Sequence, residues 1–257
     1  MSSHQTLRQT LMLEEMGIAP RWQARGASAT VVIEEASKFS TPNAAESVAV
    51  PAADDRRAGI MRMDWNEVKA SVSECTSCAL CQRRNKTVFG VGDENANWLF
   101  VGEGPGADED AQGEPFVGQA GKLLDAMFVA MQLKRGADVY IANVVKCRPP
   151  GNRNPEAGEA LACEPYLHRQ IELIQPKLIV ALGKVAAVNL LAPSITSAAS
   201  VGSMRNKVHQ YRGIPLIVTY HPAYLLRSLT DKARAWEDLC FAMDTMNSLK
   251  SSAVETI

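Results

Sequence analysis

The chain has 257 residues, 46% of them hydrophobic, which is enough to bury one sizeable core, and its formal net charge is -1. That balance excludes a uniformly basic nucleic-acid binder, so any phosphate contacts must come from local clusters of Lys and Arg. No segment approaches the ~20 consecutive apolar residues of a membrane span, and the N-terminus lacks the charged start and apolar run of a secretory signal, so a soluble cytoplasmic protein is expected.

In chain order, residues 1–61 are rich in Ala, Ser and Thr and show neither helical nor strand periodicity, as in Ser40-Thr41-Pro42-Asn43-Ala44-Ala45-Glu46-Ser47. They read as a disordered arm, within which Leu7, Leu11, Glu14, Glu15 and Met16 suit a short amphipathic helix. A folded domain is expected over 62–250 and a tail over 251–257. The domain opens on Cys75-x2-Cys78, with Cys81 three residues on and the basic residues Arg83, Arg84 and Lys86 after it. From Asn97 onward short apolar runs alternate with helical patterns. Trp98–Val101 precedes a helix near Gln119–Leu133, and Val139–Ala142 precedes one near Pro155–Ile174, for which Asn154 is the expected cap. Leu178–Ala181 precedes a helix near Lys184–Leu191, and Leu216–Thr219 precedes one near Asp231–Leu249 that carries Cys240 as a core thiol. Nearly continuous Val, Ile and Leu in each run points to strands covered on both faces. The fold class is therefore α/β, a three-layer α/β/α arrangement around a mostly parallel four-stranded sheet.

In such sheets the ligand lies outside the carboxyl ends of the strands. Three polar motifs fall there: Gly102-Glu103-Gly104-Pro105-Gly106, then Asn143 with the loop Lys146 to Arg153, and Tyr220-His221-Pro222. Glu103 projects at that edge. The nearby Gly113-Glu114-Pro115-Phe116-Val117-Gly118 supplies an aromatic face able to stack on a planar ring, and Asn143 offers the donors and acceptor that read the edge of a base. His221, pre-aimed by the proline after it, is followed by Leu225, Leu226 and Arg227, a pattern that suits a wedge into a base stack beside a phosphate contact. Arg148 and Arg153 in the Pro-Pro-Gly loop, and Arg205, Lys207, His209 and Arg212 further on, add basic clusters that make a groove only if they converge.

In a reducing compartment six cysteines are metal ligands, buried thiols or redox groups rather than disulfides. Cys75 and Cys78 joined by Cys147 and Cys163 give four ligands that suit a tetrahedral zinc or a [4Fe-4S] cluster, and spacing alone does not choose between them. Cys81 is assigned to the core, because the Cys-Pro that would complete a ferredoxin run is missing.

Four ordered motifs, Gly-Glu-Gly-Pro-Gly-Ala-Asp-Glu-Asp, Gly-Glu-Pro-Phe-Val-Gly-Gln-Ala-Gly, Asn-Val-Val-Lys-Cys-Arg-Pro-Pro-Gly-Asn-Arg and His-Pro-Ala-Tyr-Leu-Leu-Arg, together resemble family 4 uracil-DNA glycosylases over about residues 62–245. The resemblance implies a [4Fe-4S] cluster on Cys75, Cys78, Cys147 and Cys163, and hydrolysis of the N-glycosidic bond of a deoxyuridine flipped out of DNA. It implies that Gly104, Phe116, Asn143 and His221 hold the uracil, that His221 donates to O2 of the departing base, and that Glu103 and Asn152 position or polarise water. The partner it implies is uracil-containing DNA, single- or double-stranded, met by a monomer. The best-known uracil glycosylases carry an Asp as water activator where this chain has Gly104, which leaves water activation to another group. No lysine stands in the Gly102–Gly106 or Tyr220–Pro222 motifs, so simple hydrolysis is expected rather than a Schiff-base lyase step. The alternatives are a non-hydrolytic module that binds uracil-containing or damaged DNA with the cluster as a structural element, and a zinc-bound interaction protein.

Overall fold

The structure, a computed structural model, describes residues 52–254. The short helix expected around Leu7 to Met16 lies outside the described residues. Two helices come first, α1 (Ala52–Ile60) and α2 (Trp65–Glu74). Helix α2 starts where Asp64 Oδ1 accepts from the Glu67 N–H at 2.9 Å and Glu67 Oε2 accepts from the Asp64 N–H at 2.8 Å, a reciprocal cap that satisfies two otherwise unpaired donors. Residues 52–60, expected to belong to the arm, form a helix packed on the domain. Ile60 is buried in the core, the Arg56 guanidinium donates to the Ala162 carbonyl at 3.0 Å, and Arg57 pairs with Glu164.

The sheet has six strands, β1 (Val91–Gly92), β2 (Trp98–Gly102), β3 (Val139–Asn143), β4 (Leu178–Leu182), β5 (His209–Tyr211) and β6 (Ile214–Thr219), in the order β1-β3-β2-β4-β6-β5. The central β3, β2, β4 and β6 are parallel, and they are the strands the sequence predicts. The count of four is corrected to six by β1 and β5, which pair antiparallel at the edges and are too short to show a period of two. Between strands run α3 (Ala107–Gln112), α4 (Gln119–Ala130), α5 (Ala157–Ile174), α6 (Lys184–Leu191), α7 (Val201–Met204) and α8 (Pro222–Leu225), and α9 (Asp231–Val254) closes the described chain. Helix α9 runs beyond residue 250, into the stretch expected to be a tail.

Alternate strand residues feed two cores. Leu99, Val101, Tyr140, Ile179, Ala181 and Val218 face α1, α2, α5 and α6, while Trp98, Phe100, Ile141, Val180 and Ile217 face α4 and α9. Burial on both faces explains why the strands read as unbroken apolar runs, and each fully buried Leu, Ile or Phe contributes about 1.5–3 kcal/mol. On α9 the buried apolar positions are Ala235, Leu239, Ala242 and Met246, one helical stripe, and Cys240 beside it is only half-buried rather than a core thiol. Helix α5 starts at Ala157 rather than Pro155, because Glu159 Oε2 reaches back to the Glu156 N–H at 2.8 Å; Asn154 is not its cap.

Connections leave β2 and β4 in opposite directions: β2 leads to β3 on one side, and β4 leads to β6 on the other. The crevice between their carboxyl ends is the place where such a sheet binds its ligand. Register aligns Gly102 with Asn143 and Leu182 with Thr219, so Glu103, Asn143, Gly183 and Tyr220 emerge at that edge together.

Candidate active site

A cavity of about 750 Å3 opens at this edge, and Glu103, Gly104, Phe116, Asn143, Asn152 and His221 all line it. Asn143, the last residue of β3, is 2% exposed, and among the described residues its Oδ1 has no hydrogen-bond partner. Burying an unpaired amide oxygen costs about 1–3 kcal/mol unless a ligand pairs with it. The ring of Phe116 lies beside it. Gly102 makes that approach possible, since a Cβ there would stand 2.6 Å from Phe116 Cζ and against Asn143 Oδ1.

Phe116 adopts φ 56°, a left-handed conformation rare for a bulky residue and costing about 1–3 kcal/mol. Its surroundings impose it. Arg135 donates to the carbonyls of Pro115 at 3.0 Å and Phe116 at 2.9 Å, and the Glu109 carboxylate accepts from the Val117 and Gly118 N–H groups at 3.0 and 3.1 Å. Glu109 also accepts from the Gly106 N–H at 3.0 Å, so one side chain joins the first loop to the aromatic loop. Sequence reasoning passed over Glu109; the available signal was its place at the third position of a helix opening on Gly106, where a carboxylate reaches back to free N–H groups.

His221 faces Phe116, with ring centroids 5.5 Å apart and a 30° tilt. Its Nδ1 accepts from the Ala223 N–H at 3.1 Å, which places the proton of the neutral ring on Nε2. Burial, aided by the Arg227 charge, pushes its pKa down to about 4, so the imidazole is neutral at ordinary pH. Burial pushes the Glu103 carboxyl the other way, above the usual range. Asn152 sits in the 310 turn Pro150–Asn152 with Oδ1 accepting from Arg148 Nε at 2.7 Å, which leaves its NH2 group for a ligand. At Gly104 a Cβ would stand 2.7 Å from Val145 Cγ2, so a side chain at this position has to displace Val145.

A second, small cavity is lined by Cys75, Cys78, Cys147 and Cys163, together with Cys81, Arg84 and Lys146. The two distant cysteine pairs thus meet, and Cys81 lines the same space rather than the core. Arg84 donates to Cys147 Sγ at 3.2 Å and to the Cys75 carbonyl at 2.7 Å, and the Lys146 N–H donates to Cys163 Sγ at 3.3 Å. Burial pushes the Cys163 thiol up to about 12 and the fully buried Lys146 ammonium down to about 8. Neutral thiols leave those cations without compensation, whereas four thiolates around a cluster would supply it. Among the described residues no group of three or more His, Cys, Asp or Glu is gathered as around a single metal ion, and the four cysteines line one small cavity.

Comparison with known proteins decides the lineage. Residues 89–240 match the profile of the uracil DNA glycosylase superfamily. The chain belongs to that superfamily. It is 40% identical to the type-4 uracil-DNA glycosylase of Pyrobaculum aerophilum over 69% of this chain and 92% of that one. The type-4 enzyme of Archaeoglobus fulgidus is 44% identical over 63% and 82%, and that of Thermotoga maritima 43% identical over 65% and 85%. A type-5 uracil-DNA glycosylase of Pyrobaculum aerophilum is more distant, 33% identical over 52% and 64%.

For this superfamily member the residues expected to touch DNA divide. Arg227 and Arg153 line the cavity, but Arg153 is held by Glu159 through two bonds of 2.7 and 2.8 Å, with Glu156 at 3.2 Å. Arg148 is spent on Asn152. Leu225 is corrected: it is 1% exposed, because the short helix α8 turns it into the core with α4 and α9, and it cannot serve as a wedge. Leu226, 42% exposed, remains available for that role. Arg84 turns to the cysteines and Arg205 is buried against Asp238 at 2.8 Å, so these two members of the basic clusters are engaged elsewhere. Lys184, at the start of α6, lines the cavity and was not singled out from sequence.

Proposed function

We propose that this chain is a monofunctional uracil-DNA glycosylase whose cavity at the β2–β4 crevice takes a flipped-out deoxyuridine. The observation that carries the reading is the buried, unpaired Asn143 Oδ1 beside the Phe116 ring. Uracil presents an N3–H donor between two carbonyl acceptors, so Asn143 Oδ1 accepts from N3–H and its NH2 donates to O4, while the base stacks on Phe116. As the bond from C1′ to N1 breaks, its electron pair passes to the base, and negative charge builds on O2. The Nε2–H of neutral His221 donates there, favouring the transition state over the bound substrate. Water adds to C1′, and its proton passes to the Glu103 carboxylate, with the Asn152 amide as an orienting donor.

Cys75, Cys78, Cys147 and Cys163 would hold a [4Fe-4S] cluster, which would join the segment after α2 to the β3 loop and α5; its contribution is to hold these segments. The non-hydrolytic alternative is not favoured, since the type-4 and type-5 relatives are glycosylases by name. As parts of the same proposal the protein is a cytoplasmic monomer, its cavity formed within one chain, and acts on single- or double-stranded uracil DNA. Among the described residues no helix is long and apolar enough to cross a membrane. The test is release of free uracil from a uracil-containing oligonucleotide by the wild type and by Asn143→Ala. The variant should fall by about 10- to 150-fold for the loss of one buried pairing worth about 1.5–3 kcal/mol. An Asn143→Ala rate equal to wild type would remove this account of base recognition.

A further inference from the structure

Beside the uracil cavity stand three planar groups that the reaction does not use. Tyr220 and Tyr224 both line the cavity and stack with ring centroids 5.4 Å apart and 16° between planes, and the Arg205 guanidinium lies 5.3 Å from the Tyr220 centroid. Arg205 is itself fixed, its side chain 9% exposed and its Nε within 2.8 and 2.9 Å of the buried Asp238 carboxylate. At the outer end Tyr224 is 39% exposed, although its hydroxyl is tied down. The hydroxyl donates to Asp231 Oδ2 at 2.7 Å; Ser228 donates to the same oxygen at 2.8 Å, and Arg234 to Oδ1 at 2.9 Å.

A tyrosine whose ring stacks on a neighbour and whose hydroxyl is anchored has already lost its rotamer freedom, yet much of its surface stays open. Core packing does not need that arrangement, whereas a stacking surface for a planar ligand does. Past the buried Leu225 stand the exposed Leu226 and Arg227, an apolar side chain and a cation for a phosphate, so Tyr224, Leu226 and Arg227 match a base, a step in the stack and the backbone beside it.

We propose that Tyr224 is a stacking platform for the nucleobase that flanks the flipped uracil. The proposal rests on the reading of the cavity as a uracil site. Every base has a π-face, so the platform tolerates any neighbour, and it favours single-stranded DNA, whose flanking base is free to leave its own stack.

The experiment uses the full-length protein with single-stranded oligonucleotides in which 2′-fluorodeoxyuridine, which resists cleavage, stands next to 2-aminopurine on its 5′ or its 3′ side. Stacking on the tyrosine quenches the 2-aminopurine at one of the two positions. Tyr224→Ala abolishes that quenching and weakens binding by roughly 10- to 100-fold, while Tyr224→Phe, which keeps the ring and loses only the Asp231 bond, retains both. Quenching unchanged in Tyr224→Ala, or absent at both positions in the wild type, would overturn the proposal. Uracil release from ordinary deoxyuridine oligonucleotides, measured on the same preparations, separates this failure from failure of the glycosylase reading. A wild type that releases uracil without quenching loses only the platform.

Discussion

His221 shows how one backbone hydrogen bond sets a chemical role. With Nδ1 accepting from the Ala223 N–H, the ring presents Nε2–H as a donor, and burial keeps it neutral down to a pKa of about 4. His221→Ala should lower uracil release by about 10²–10³-fold, as loss of a donor to developing charge does elsewhere, without loss of iron, because the residue is not among those that line the cysteine cavity. On the proposed mechanism Glu103 would govern the acid end of the pH range. Its raised pKa means that the base form is present above that value and lost as pH falls through it, so kcat/KM should decline on the acid side above the usual carboxylate range. In Glu103→Gln that limb should vanish along with most of the rate; a limb that survives would assign it to another group. The placement of His221 at the ligand edge was legible from its position before a proline at a strand end. Its tautomer was not, since that depends on a bond to a residue in the following turn.

At the scale of elements, β3 and α5 are joined by Lys146. Its ammonium, 1% exposed, donates to the Asn143 carbonyl at 3.0 Å, while its backbone N–H donates to Cys163 Sγ. Lys146→Met keeps the volume of the stem and removes the donor. It should raise KM for uracil DNA and the inhibition constant of free uracil together, by about 10- to 150-fold for a charged hydrogen bond of about 1.5–3 kcal/mol, with iron content retained. An unchanged KM would show that Asn143 holds its place without it. Helix α1 makes a different point. Ala52–Ile60 lies in a stretch whose composition reads as disordered, yet Ile60 is buried, and Ile60→Ala should cost about 2–5 kcal/mol, read as a lower denaturation midpoint. The sequence hid this helix because Arg56 and Arg57 find their partners on α5, more than 100 residues away, and no local pattern reports such pairings.

Across the whole molecule, the parallel sheet was legible because strands buried on both faces leave unbroken apolar runs, while the edge strands β1 and β5 left almost none. The ligand edge followed from the same rule, and it gathered Glu103, Phe116, Asn143, Asn152 and His221 around one cavity. Three dimensions altered the charged residues instead. Arg153, expected to contact DNA, and Arg84 and Arg205, members of basic clusters, are bound to carboxylates or to a thiol, since a sequence does not show which partner a long side chain reaches. If Cys75, Cys78, Cys147 and Cys163 hold the proposed [4Fe-4S] cluster, the purified protein should be straw-coloured and carry four irons per chain, and Cys147→Ala should lose iron. A full iron complement in that variant would mean that Cys81, which lines the same cavity, takes its place.

The measurement that tests the central claim most directly is an end-labelled single-stranded oligonucleotide with one uracil, incubated with iron-replete protein and read with and without hot alkali. Strand cleavage that appears only after alkali is the predicted result, because hydrolysis at C1′ leaves an intact abasic strand. Cleavage without alkali would contradict simple hydrolysis, and no cleavage under either condition would contradict the assignment of uracil excision to this cavity.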